Sequence, residues 1–109
     1  MRKYEVRFWT DSRGACPLDE WIAELGANHK KRVFALIRML GELGRELRLP
    51  NSRSLGDGLF ELRDTSRGPG YRIYSCFEGD KLIILLASGD KSTQERDIVT
   101  ATRRMEELR

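Results

Sequence analysis

The chain has 109 residues, 39% hydrophobic and 34% charged, which suits a single domain spanning 1–109 with one core. No apolar run approaches the roughly 20 residues of a membrane span, and no signal-peptide core follows Met1. A membrane protein, a secreted disulfide scaffold, a coiled coil and a multidomain enzyme are therefore excluded, and a cytoplasmic protein is expected.

Residues Lys3 to Trp9 alternate around Tyr4, Val6 and Phe8, the period of a first strand. After a turn at Asp11–Gly14, Pro17 opens a helix with Asp19 and Glu20 in its first turn. Leu18, Trp21, Ile22 and Leu25 share one face of that helix, and Gly26 is expected to end it. Asn28 is the expected N-cap of a second helix running to about Glu46. Its apolar stripe is Val33, Leu36, Ile37, Leu40 and Leu43, and Lys30, Lys31, Arg32, Arg38 and Arg45 make a solvated opposite face. The two helices form a helical hairpin.

Leu49 to Gly58 carries a proline, an asparagine and two glycines and is predicted as loop. Leu59–Arg63 is a short strand, Ser66–Gly70 a turn and Tyr71–Phe77 the next strand. Glu78-Gly79-Asp80 turns into Lys81–Ser88, which is apolar enough to be central and covered on both faces. A last helix is expected over Glu95–Leu108, with Ile98, Ala101, Met105 and Leu108 inward. The order predicts an α+β fold: a twisted, mainly antiparallel sheet with the N-terminal helical hairpin on one face, and a C-terminal helix. The other face is expected to be exposed, at least in part.

Cys16 and Cys76 have no histidine partner nearby, so they read as two buried or half-buried thiols of a reducing compartment, with no metal site. The cations say more, because 15 of the 20 are arginines, whose planar fork suits phosphate and carboxylate. With Phe60 and Leu62 in the core, Glu61 and Arg63 face away from it. Period two then sets Arg72, Tyr74 and Cys76 on that same face of the neighbouring strand. Two arginines on adjacent strands repel unless an anion lies between them, or unless Glu61 or Glu78 neutralises them. Ser88-Gly89-Asp90-Lys91-Ser92-Thr93-Gln94 follows the central strand. It lacks the spacing of a Walker loop, so Ser92 or Thr93 reads most simply as a helix cap, while a phosphate-binding role is open. His29 is expected at an exposed helix start, Tyr71 inward with Ile73, and Trp9 and Trp21 in packing roles. Gly68, Pro69 and Gly70 are expected to set the turn that aims Arg72.

Leu62-Arg63, then Gly68-Pro69-Gly70-Tyr71-Arg72-Ile73-Tyr74, then Leu85 through Gln94 resemble the RelE/ParE toxin superfamily. More narrowly they resemble its HigB-like addiction-module killer group, in which ELR, GPGYR and GGDK-S-TQ motifs recur in this order. The resemblance spans essentially the whole chain and implies a RelE-like fold and a ribosome-dependent endoribonuclease acting on mRNA. It also implies a cognate antitoxin, a HigA-like helix-turn-helix protein, in a hetero-oligomeric complex. Some members poison DNA gyrase instead, and a ParE-like inhibitor without nuclease activity is the alternative.

Matched position by position, Arg63 and Arg72 are the arginines of the ELR and GYR motifs, and Lys91 is the basic residue after the central strand. The chain departs from its ribonuclease relatives in having Glu61 where some carry a catalytic lysine and no aromatic residue or histidine after Phe77. Metal-free RNA cleavage needs a 2′-hydroxyl aligned with its phosphate, a proton acceptor and positive charge on the phosphorane. Arg63, Arg72 and Lys91 are assigned that charge. Tyr74, Asp90, Glu61 and a Lys91 of lowered pKa are the unranked candidates for proton transfer. Arg67, Ser92 and Arg96 are expected to contact RNA. No cofactor is expected.

Overall fold

The structure, a computed structural model, describes residues 3–109; the first two residues of the domain expected over 1–109 lie outside the described residues. Five strands, β1 (Glu5–Phe8), β2 (Ser52–Gly56), β3 (Leu59–Arg63), β4 (Arg72–Glu78) and β5 (Leu82–Gly89), form one sheet in the order β1-β5-β4-β3-β2. β1 runs parallel to β5 and every other pairing is antiparallel. The helices are α1 (Pro17–Ala23), α2 (Ala27–Leu43) and α3 (Gln94–Glu107), with single 3₁₀ turns at Gly44–Glu46 and Lys91–Thr93.

Burial of the two sheet faces is what the strands encode. Leu62, Ile73, Ile83 and Leu85 pack with Leu18, Ile22, Val33, Leu36 and Leu40 of the helical hairpin, and Tyr4, Val6 and Phe8 of β1 extend this cluster. β5 lies between β1 and β4 and is covered on both sides, as its nearly continuous apolar run predicts. The opposite face is not open. Ala101 and Met105 of α3 bury Leu59, Tyr74, Cys76, Leu86 and Ala87 beneath them.

Several expectations at the ends of elements are corrected. Gly26 is the N-cap of α2, in place of Asn28, and α1 ends earlier at Ala23. Leu43 and Leu108 are 38% and 40% exposed, because each falls in the last turn where the helix leaves the core. Of the cations expected on the solvated face, Arg32 of α2 is half-buried and pairs with Asp64, while Arg45 is exposed in the 3₁₀ turn after α2, over the ring of Phe77. His29 is half-buried, its Nδ1 on the hydroxyl of Tyr71, which itself turns inward as expected.

The largest correction is β2, which occupies residues expected to be loop. Ser52-Arg53-Ser54 has no apolar alternation because this is an edge strand with little to bury. The hairpin signal lies in Asp57-Gly58, both at positive φ (53° and 89°), as a tight turn between right-twisted strands requires.

Both thiols are free. Burial, then the charge of Glu78, pushes the Cys76 thiol up to about 11, whereas Cys16 is only half-buried. A limiting amount of iodoacetamide at neutral pH is expected to modify Cys16 at least about tenfold faster than Cys76. Peptide mass mapping of the alkylated protein checks this.

Candidate functional site

The sheet register places the charged residues in two rows. Arg53, Glu61, Tyr74 and Ala87 are successive cross-strand partners from β2 to β5, and Arg63, Arg72 and Gly89 make the next row. The residues assigned to one face by period two do share it. The face is not exposed, however: Glu61 and Tyr74 have no accessible surface and the Arg72 side chain retains 8%.

Glu61 is the centre of the group. Arg53 donates from Nη2 to Glu61 Oε1 at 3.1 Å, and the Nε atoms of Arg63 and Arg72 stand 3.9 Å from the same oxygen. Gln94, the first residue of α3, donates from Nε2 to the other oxygen, Oε2, at 2.6 Å. Glu61 is therefore the counter-ion that keeps two cross-strand arginines together, one of the two arrangements the sequence left open. Three guanidinium groups around one carboxylate leave a formal excess of two positive charges. The Nε atoms of Arg63 and Arg72 are buried and have no hydrogen-bond partner in the protein.

Arg72 is aimed by the turn before it. Its Nη1 donates to the carbonyls of Gly70 and Tyr71, at 3.0 and 3.3 Å. The turn is fixed in place by α2. Arg32 donates from Nε and Nη2 to Asp64 and from Nη2 to the carbonyl of Arg67. Burial raises the Asp64 pKa, but the Arg32 hydrogen bond and those of Ser66 outweigh it, and the net shift is downward. A lowered folded-state pKa gives stability that is present above the ordinary carboxylate value and lost as pH falls through the folded one. Arg32→Ala is accordingly expected to cost about 2 kcal/mol at pH 7, a deficit that shrinks below about pH 4. Urea melts of both proteins at the two pH values measure it.

Lys91 joins the arginines from the far side. Its backbone N–H donates to the carbonyl of Pro69 at 3.3 Å. Lys91 Cβ and Arg72 Nη1 each lie 3.4 Å from the point where a Cβ on Gly70 would stand. The Lys91–Arg96 segment walls a surface groove of about 490 Å³. It is held by Asp90, which accepts from the backbone N–H of Ser92, and by the Thr93 hydroxyl, which donates to buried Asp97. Gly89 lets this segment approach β5, since a Cβ there would fall 1.9 Å from Asp97 Oδ2.

Two of the residues considered for proton transfer are poorly placed for it. Tyr74 is fully buried with an unpartnered hydroxyl. Burial, then the charges of Glu61 and Asp97, raises its pKa well above the ordinary phenol value. It has no accessible surface from which to meet a substrate, and the expectation that this face leaves Tyr74 exposed is corrected. The Asp90 carboxylate is taken up by Ser92, whose hydrogen bond lowers its pKa and makes it a weaker base. Lys91, Ser92 and Arg96 are exposed, with Arg96 Nε 3.5 Å from Asp97, and Arg67 is exposed in the 64–71 loop. Sequence reasoning missed Arg53 and Gln94. Arg53 could have been found from the Asp57-Gly58 turn, which pairs the residues before it with β3. Gln94 closes the TQ motif of the sequence, but nothing there shows that its amide would reach Glu61.

No helix among the described residues is long and apolar enough to cross a membrane, and no group of three His, Cys, Asp or Glu among them is placed to hold a metal ion. The fold and site define a small α+β protein with an arginine cluster built around a buried carboxylate. The chain belongs to the phage-derived Gp49-like family (DUF891), whose model matches residues 20–106, and that family is associated with toxin–antitoxin modules. It is also 39% identical over 93 residues to an uncharacterized protein of Haemophilus influenzae (strain ATCC 51907 / DSM 11121 / KW20 / Rd), covering 83% of this chain and 87% of the other.

Proposed function

We propose that this chain is a HigB-like toxin of a type II toxin–antitoxin module and acts as a ribosome-dependent mRNA endoribonuclease. The observation that carries the reading is the convergence of Arg63 and Arg72, each with a buried and unpartnered Nε–H, beside Lys91. Guanidinium charge held in so buried a place, with the Arg63 side chain still 35% accessible, suits a phosphate whose charge grows during reaction. In the reaction a 2′-hydroxyl oxygen attacks the adjacent phosphorus, its proton passes to a base, and the 5′-oxygen departs and takes up a proton. The products are a cyclic phosphate and a free 5′-hydroxyl. Arg63 and Arg72 stabilise the phosphorane oxygens, and Lys91 supplies charge at the mouth of the groove. With Tyr74 buried and Asp90 hydrogen-bonded, the rate depends mainly on electrostatics and on a substrate held in line. A ribosome that presents mRNA in a fixed geometry supplies that alignment. The expected partner is a HigA-like antitoxin, whose acidic segment complements the basic residues.

A second reading, ParE-like inhibition of DNA gyrase by binding alone, is favoured by the burial of the Tyr74 phenol, which stays protonated, and by the engagement of the Asp90 carboxylate with Ser92. Primer extension on cellular mRNAs after brief induction separates the two. Cuts within translated codons support the nuclease. Intact mRNAs with arrested growth and DNA-damage signalling select gyrase.

A further inference from the structure

We infer that Glu61 is the positioning residue of this site, a built-in anion that organises the arginines and holds them to the Lys91–Arg96 segment. The inference rests on the reading of Arg63 and Arg72 as a seat for phosphate.

The two oxygens of this carboxylate divide the work. Oε1 faces Arg53, Arg63 and Arg72, from three different strands, and Oε2 receives Gln94 at the start of α3. One buried side chain thus links the sheet half of the site to the half that carries Lys91, Ser92 and Arg96. A counter-ion serving the fold alone is expected to take up the donors nearest to it. Glu61 does so with Arg53 but not with the other two. At 3.9 Å the Nε atoms of Arg63 and Arg72 feel its charge without being hydrogen-bonded, and their N–H groups stay unpartnered. The carboxylate therefore holds the guanidinium groups close together without using up their Nε–H donors, so their charge stays available to a phosphate seated beside them.

That arrangement has an unusual signature. Glu61 repels the phosphate it prepares the arginines to receive, so it weakens anion binding while improving alignment. A residue that only supported the fold would lose binding and turnover together when replaced. Removing the charge at constant volume, in Glu61→Gln, is expected to move the two in opposite directions. Inorganic phosphate should bind about tenfold more tightly, and mRNA cleavage should fall at least about tenfold.

The test is a titration of the full-length wild-type chain, Glu61→Gln and Gln94→Met with inorganic phosphate at fixed ionic strength, balanced with chloride. The Nε–H resonances of Arg63 and Arg72 and the backbone amides of Ser92 and Arg96 are followed by NMR. In the wild type both sets should shift with one midpoint, and in Glu61→Gln that midpoint should fall about tenfold. Gln94→Met keeps the charge but cuts the tie, so the two sets should titrate with midpoints differing at least about threefold. This arm decides the matter if Glu61→Gln does not fold. Equal or weaker phosphate binding by Glu61→Gln, or a single midpoint in Gln94→Met, overturns the positioning role while leaving the phosphate seat intact. No response of either arginine in the wild type overturns the seat itself, and the positioning role with it.

Discussion

On the proposed nuclease reading, Arg72→Ala is expected to lower mRNA cleavage by about 10²- to 10³-fold, some 3–4 kcal/mol of transition-state stabilisation, and so to abolish growth arrest on induction. Arg72 is the most buried of the three arginines around Glu61, with 8% of its side chain accessible against 35% for Arg63 and 45% for Arg53. Its donors therefore act in a medium of low effective dielectric, where a developing negative charge is stabilised most strongly. The fold should survive, because Glu61 keeps its hydrogen bonds from Arg53 and Gln94. The groups lost are the two Nη1 bonds to the carbonyls of Gly70 and Tyr71. Arg38→Ala removes the same charge from an exposed position on α2 and should remain fully toxic. Growth curves, primer extension and far-UV circular dichroism of the three proteins provide the measurement. An Arg72→Ala chain that folds and still cleaves at the wild-type rate removes Arg72 from the reaction.

Gly89→Ala carries the largest expected cost in stability, roughly 3 kcal/mol, with a fall in Tm of 10 °C or more. A methyl group there meets Asp97 Oδ2 at 1.9 Å and Thr93 Oγ1 at 2.4 Å, distances no real contact sustains. Neither neighbour can step aside freely. Asp97 is a buried residue in the first turn of α3, and Thr93 donates to it while accepting from the Asp90 N–H. The displacement should travel along the 3₁₀ turn to Lys91 and Gln94, so activity should fall in molecules that remain folded. Thermal melts followed at two wavelengths test the stability term. A melting temperature within 2–3 °C of the wild type would show that the start of α3 is free to shift.

The parts of this molecule that the sequence made legible are those where burial imposes a period. β3, β4 and β5 could be drawn within a residue or so because Phe60 and Leu62, Ile73 and Phe77, and the run from Leu82 to Ala87 are spaced by the pleat. β2 could not, because an edge strand of serine and arginine buries almost nothing that repeats. The site was legible by half. Period two placed Arg63, Arg72 and Tyr74 on one face, but periodicity does not say what lies over a face, and α3 turned out to cover it. Its inward residues Ala101 and Met105 were recognised in the sequence, yet no local signal tells which surface they meet. Glu61 was one of two candidate partners for the arginines. That it gathers three of them, and Gln94 besides, is a tertiary fact about strand register and helix docking.

The order of strands has a consequence for when the basic face can assemble. β5, the strand between β1 and β4, is the last of the five in chain order, and the Lys91–Gln94 segment that completes the basic face follows it directly. β1, made first, has no partner in the sheet until β5 exists, because their parallel pairing spans more than seventy residues. A chain still being synthesised thus has its arginines but neither the central strand nor the buttress that sets them at the right distance. Synthesis itself sets the order of assembly, delaying the face until β5 and the Lys91–Gln94 segment have left the tunnel.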